Sequence, residues 1–286
     1  MSIMFGSFAM IGWGVSDYMA KRILGKTGTY RTTIYSELVG LIPIVLLFIA
    51  RGPISSDWSG TIGLAFVAGA IHIICICTFY GALYWGQASV VAPLTASWGV
   101  VSTLISICFL GEKLESIVGL LIVLVILGAI LISFQPDPSG AGSLKRALPL
   151  AFVSTVATGF NAVLMKFVAL GLGDVGAVFY TRVFSAIMML PGLFIIARRS
   201  GWLPQALDLR RRIFLASLGV INALAFVGYV TGLTLGNVSV VAPVAASSPA
   251  VTFILAELLL KERVRPHQGL GVFLVLAGVV ALAVFA

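Results

Sequence analysis

The sequence predicts an all-α integral membrane protein, ten transmembrane helices arranged as two inverted five-helix repeats. Three observations carry this expectation. The 286-residue chain is 60% hydrophobic and only 10% charged; its apolar residues fall in runs of spanning length; and a segment of its first half returns in its second. A soluble domain carries roughly 25% charged residues and 45–50% apolar ones, and one of this size could not bury so large an excess. With a mean hydropathy of +1.12 the solvent is lipid. A span takes about 20 residues, so ten of them leave short loops and no room for a large soluble domain.

The spans run approximately 2–20, 31–50, 60–84, 88–110, 116–134, 148–170, 174–197, 212–235, 238–260 and 266–285. The first has neither a basic region before it nor a cleavage site of small residues, so it reads as a span and not a signal peptide. The second lies between Arg31 and Arg51. The third, fourth and fifth are joined by very short loops, with Pro93 early in the fourth and Glu112 after it. Residues 135–147, containing QPDPSGAGSLKR, form a Pro/Gly-rich linker between an N-terminal unit, 1–134, and a C-terminal unit, 148–286. The sixth and seventh spans meet at a Gly-rich turn, the eighth follows three arginines, and the ninth carries Pro243 and Pro249. Cys75, Cys77 and Cys108 all fall inside apolar runs and make no disulfide framework.

The repeat is the most specific signal in the chain. ASVVAPLTAS (Ala88–Ser97) returns as VSVVAPVAAS (Val238–Ser247), offset by 150 residues. The same offset matches Gly86 with Gly236, Glu112 with Glu262, Gly119 with Gly269 and Gly128 with Gly278. In the first spans Gly14 falls on Gly159, Ser16 on Asn161 and Lys21 on Lys166. Five spans per unit is an odd number, so the second unit enters the bilayer upside down. This inverted arrangement is typical of alternating-access transporters.

The formal net charge is +8. Loop placement explains the excess better than nucleic-acid binding, and no nucleic-acid partner is expected. The loops after spans one, three, five, seven and nine hold 14 of the 18 Lys and Arg residues. That side is expected in the cytoplasm and both termini outside, in the plasma membrane of a prokaryote.

Two five-span halves, each with a Pro-bearing span, a short Glu-containing loop and a Gly-spaced final span, resemble the EamA-like branch of the drug/metabolite transporter superfamily. The residues that carry the resemblance are ASVVAPLTAS, LGEKL and GLLIVLVILG in one half and VSVVAPVAAS, LKERV and GLGVFLVLAG in the other. LKER departs from the family's usual Gly before the Glu. The resemblance implies a ten-helix transporter of small molecules, with amino acids, aromatic ones included, as the first expected substrates. Other members carry nucleotide sugars, sugar phosphates or cationic drugs.

Polar groups within spans need a partner or a wet cavity, so they mark candidate pathway residues. Asp17 lies one turn from Trp13 on one face, and Asn161 matches the adjacent Ser16. Asp17 either contributes to a central site or pairs with Lys21 or Arg22. Glu37, one to two turns into the second span, either reaches a neighbouring basic loop or belongs to the pathway, and Lys166 snorkels to an interface. His72 is mid-span and lines a cavity or packs; His72, Cys75 and Cys77 do not share one helical face, so no metal site is expected. Tyr80, Tyr84, Trp98 and Tyr229 offer apolar rings with a polar handle, suited to a partly apolar substrate. Arg182 either holds a substrate carboxylate or neutralises Glu257 or Asp17. Glu257, absent from the matching position in the first half, is a candidate for proton coupling. Pro93, Pro243 and Pro249 break helices near the site, with Ser97 and Ser247 one turn beyond the first two.

No P-loop, nucleophile elbow or HExxH appears, so neither an enzyme nor a cofactor is expected. The expected partners are a small-molecule substrate, the lipid bilayer and protons. A membrane scaffold or receptor that transports nothing is the rival of another class.

Overall fold

A computed structural model describes the chain apart from residues 53–57, 87–90, 92–93, 114, 134–140, 201–208, 261–265 and 286. It also leaves out the side chains of 58–59, 132–133, 141–144, 193, 195–200, 256–257, 260 and 283. Among the described residues all regular structure is helical. The helices are α1 (Ser2–Thr27), α2 (Thr29–Arg51), α3 (Trp58–Trp85), α4 (Trp98–Leu110) and α5 (Ser116–Ser133). They continue with α6 (Ala141–Ser200), α7 (Leu209–Leu235), α8 (Val238–Ala246), α9 (Ser248–Leu260) and α10 (Pro266–Phe285).

Several boundaries differ from the sequence reading, among them the start of α4, which follows a turn at Ser97. The first helix runs on past residue 20 to Thr27, because its basic last turns remain good helix formers. Within α6 the backbone leaves the helical region at Gly173 (φ 72°, ψ 168°), so this stretch is two helices meeting at a kink, where the sequence places the boundary between the sixth and seventh spans. A straight helix of that length would far exceed the hydrocarbon thickness of about 30 Å, so the bend returns the chain across it. Gly28 takes nearly the same conformation (φ 76°, ψ 159°) between α1 and α2. Gly28 and Gly173 are separated by the offset that relates Gly14 to Gly159. The predicted ninth span is divided at Ser247 into α8 and α9. Pro249 has no N–H to give the carbonyl of Ala245, and the Ser247 hydroxyl donates to the Pro243 carbonyl at 2.9 Å.

By length and apolarity five described stretches suffice to cross a membrane: Thr29–Arg51, Gly60–Trp85, Lys145–Gly192, Leu209–Leu235 and Val238–Leu255. Lys145–Gly192 contains the bend and is 48 residues long, enough for two crossings. α1 falls below this apolarity because Ser16, Asp17 and its glycines interrupt it. Large apolar side chains such as Leu46, Phe66, Phe109, Phe160 and Val284 stand exposed on the outer surface, as lipid requires and water does not permit.

The main packing joins the two halves of the sequence. α3 lies along α6, α1 and α2 along α7, α4 against α8, and α5 against α10. The close approaches are reciprocal. A Cβ built on Gly14 would stand 2.5 Å from Val251 Cβ, and one on Gly159 would stand 2.6 Å from Val101 Cβ. A Cβ on Gly69 would meet the Thr181 carbonyl at 2.9 Å, and one on Gly219 the Ser36 carbonyl at 2.5 Å. In each case the second contact is the first with every residue replaced by its repeat counterpart.

Candidate functional site

A cavity of about 610 Å³ lies between the helices. It reaches from Trp13, Trp98 and Tyr229 at mid-helix to Lys21, Leu24 and Gly25 at the end of α1 and Tyr84 and Gly86 at the end of α3. Its inner end is an aromatic cluster. The rings of Trp13 and Trp98 lie 6.1 Å apart edge to face, Trp13 and Tyr229 are at 5.2 Å, and Trp98 and Tyr229 are at 5.7 Å. Pairs in this range add attraction beyond their area burial.

Beside the rings lies a charged network. Arg182 Nη1 donates to Glu37 Oε1, and Arg182 Nη2 donates to Asn222 Oδ1 at 2.7 Å. His72 Nε2 lies 3.3 Å from Glu37 Oε1, and Asn222 Nδ2 donates to Ser16 Oγ at 3.5 Å. The Arg182 and Glu37 side chains are 2% and 1% exposed, a burial at which neither charge is tolerable alone. Phe226 is sandwiched into the same region, with the guanidinium 5.0 Å from its ring centre and the His72 ring stacked at 5.5 Å. The partner of Arg182 is therefore Glu37 and not Asp17, and Glu37 reaches no basic loop. The Gly14-to-Gly159 offset also takes Glu37 to Arg182, and the 150-residue offset takes His72 to Asn222. The network thus joins equivalent positions of the two halves.

Asp17 lines the cavity and accepts a hydrogen bond from Ser248. Among the described residues it has no ion pair, with Lys21, Arg22 or any other. Glu37 Oε2, Arg182 Nε, Asn161 Oδ1, Ser185 Oγ and Tyr229 Oη are buried without a hydrogen-bond partner among the described residues. Of these residues, Asn161, Arg182 and Tyr229 border the cavity.

The end opposite Lys21 and Tyr84 is tied shut. Glu112 accepts bonds from Lys166 Nζ at 3.1 Å, from the backbone N–H groups of Val238 and Ser239 at 3.0 Å each, and from the Ser239 hydroxyl at 2.6 Å. Lys166 also donates to the Gly236 carbonyl at 3.1 Å, so it is paired and does not snorkel. Burial alone would push the Glu112 carboxyl up, but the bonds from Ser239, Val238 and Lys166 outweigh this and hold it below its ordinary range. On the same side Asp174 joins Arg51 at 3.0 Å and the Thr231 hydroxyl at 2.6 Å.

Of the residues singled out in the sequence, Trp13, Asp17, His72, Tyr80, Tyr84, Trp98, Asn161, Arg182, Tyr229 and Pro249 border the cavity. Tyr80 is buried, whereas Tyr84 is 54% exposed at the rim. Ser97 lies at the turn before α4, and Pro243 and Ser247 are buried in and beside α8, away from the lining. Pro93 and the Glu257 side chain lie outside the described residues. Sequence reasoning did not join Glu37 to Arg182, nor Glu112 to Lys166 and the start of α8.

The family model described as EamA-like transporter family matches the chain twice, over residues 1–134 and 145–284. The chain belongs to the EamA-like transporter family. It is accordingly a membrane transporter of small molecules. A solved crystal structure with 15% identity matches this EamA-like fold with a TM-score of 0.77, covering 99% of this chain and 96% of that one. An uncharacterized protein of Methanocaldococcus jannaschii is 28% identical over 134 residues, 47% of this EamA-like chain and 97% of the relative. An uncharacterized transporter in the cobO 3' region of a Sinorhizobium species is 27% identical over 135 residues, 47% of this chain and 96% of the relative. Both relatives correspond to about half of the present chain.

Proposed function

We propose that this transporter exports small metabolites, foremost amino acids with aromatic or other apolar side chains, by alternating access. Its two halves, residues 1–134 and 148–286 joined by a linker at 135–147, are inverted five-helix repeats in the plasma membrane of a prokaryote. The reciprocal close contacts Gly14–Val251 and Gly159–Val101 support this arrangement. The observation that carries the substrate reading is the cavity, whose inner end is aromatic and whose wall bears isolated polar groups. Its volume lies in the usual range for small-molecule sites, roughly 300–1,000 Å³.

The rim at Lys21 and Tyr84 is on the side richer in basic loops, which the positive-inside rule assigns to the cytoplasm. The conformation is then inward-open with both termini outside, and Glu112, Lys166 and Ser239 close the outer end. Pro243 and Pro249 flank the break between α8 and α9, with Pro93 as the candidate break of the first half, and Trp13, Asp17, His72, Asn161 and Tyr229 face the solute. Arg182 holds the two halves together, its Nη1 and Nη2 groups being engaged by Glu37 and Asn222. Protons enter through Asp17, with Glu257 as a second candidate. A second reading, export of cationic drugs, is favoured by Asp17, a cavity carboxylate without a basic partner among the described residues.

The test is uptake of labelled phenylalanine, tryptophan and leucine by proteoliposomes, with and without a pH gradient. Saturable flux of at least one is expected. The absence of flux for all three overturns the amino-acid reading, and flux indifferent to the gradient removes proton coupling. Flux of a cationic dye alone, abolished by Asp17→Asn, establishes the second reading. A non-transporting scaffold or receptor passes none of them.

A further inference from the structure

We propose that one face of α1 reads a zwitterionic amino acid along its length: Trp13 contacts the side chain, Asp17 the ammonium and Lys21 the carboxylate. This rests on the amino-acid reading above and adds Lys21 as a specificity-determining residue.

Trp13, Asp17 and Lys21 are spaced by four residues, so they stack on one helical face in successive turns. All three border the same cavity. An aromatic ring, an anion and a cation in that order mirror an aromatic or apolar side chain, an ammonium and a carboxylate.

The charges around the cavity leave these two available. Arg182 is taken by Glu37 and Asn222, so the deep guanidinium and carboxylate neutralise each other. Among the described residues Asp17 has only the Ser248 hydroxyl as a partner, and the exposed Lys21 has no hydrogen bond or ion pair. An ammonium has three N–H donors and no acceptor. The cavity offers it the Asp17 carboxylate, whose one partner among the described residues is the Ser248 hydroxyl. An amine that bears no carboxylate would use Asp17 alone and leave Lys21 without a role. A carboxylate one helical turn toward the rim gives Lys21 its counter-ion.

The second half lacks the pattern. The residues matching Trp13, Asp17 and Lys21 are Thr158, Ala162 and Lys166, and Lys166 is already bonded to Glu112. The reading face is therefore built on α1 alone.

Binding of L-phenylalanine, phenethylamine and 3-phenylpropionate to the full-length protein in lipid nanodiscs, read by intrinsic tryptophan fluorescence, tests this. Lys21→Met should weaken phenylalanine about tenfold or more, as loss of a charged hydrogen bond does. It should leave phenethylamine unchanged, and Lys21→Arg should restore phenylalanine. Asp17→Asn should weaken phenylalanine and phenethylamine together and spare phenylpropionate. If Lys21→Met changes phenylalanine and phenethylamine equally, or changes neither, the proposal is overturned while amino-acid transport stands. If the wild-type protein binds none of the three and passes no amino acid, the proposal falls together with the amino-acid reading.

Discussion

Glu37 and Arg182 are a pair in which each residue makes the other tolerable. Both are almost wholly buried, and removing one charge leaves the other uncompensated. Glu37→Gln and Arg182→Gln should each cost about 3–5 kcal/mol, read as loss of thermal stability of the detergent-solubilised protein. The exchange Glu37→Arg with Arg182→Glu should recover most of that loss, because His72 beside position 37 and Asn222 beside position 182 can each both donate and accept. Half of this pair was legible in the sequence, since an arginine two turns into an apolar run demands a partner. The partner was not, because any intramembrane carboxylate satisfies that demand and proximity along the chain says nothing about packing. The signal lay in the repeat: the offset that takes Lys21 to Lys166 takes Glu37 to Arg182.

Helices meet closely where one of them bears glycine, and the same meeting occurs twice. Gly14→Ala and Gly159→Ala would each drive a methyl group to about 2.5 Å from a valine Cβ. Each should destabilise by about 1–3 kcal/mol through overpacking. Similar losses of thermal stability in the two variants are expected, because the two contacts are counterparts. The elements themselves were readable from apolar run length, and the division of the ninth span at Ser247 from the two prolines around it. The boundary between the sixth and seventh spans was readable too: the Gly-rich stretch there contains Gly173, whose backbone leaves the helical region and separates the two helices of α6.

At the scale of the whole molecule, one end of the cavity depends on Glu112. Because its carboxyl is held below the ordinary value of 4.5, its contribution is complete above that value and is lost as the pH falls through the lower value of the folded protein. Glu112→Gln should therefore imitate acid. A cysteine at Val238, which is buried beside Glu112, should react slowly with an impermeant maleimide at neutral pH. At the same neutral pH it should react several-fold faster in the Glu112→Gln background, and an unchanged rate would mean that Glu112 does not hold this end closed. The pairing of Glu37 with Arg182 has a different kind of consequence. Two identical halves facing each other across a two-fold axis would set each position near the axis against its own copy, Glu against Glu or Arg against Arg. Opposite charges at one shared position require two halves that are free to differ, so this ion pair belongs to a fused, diverged duplication and could not be built by a symmetric dimer of identical half-length chains.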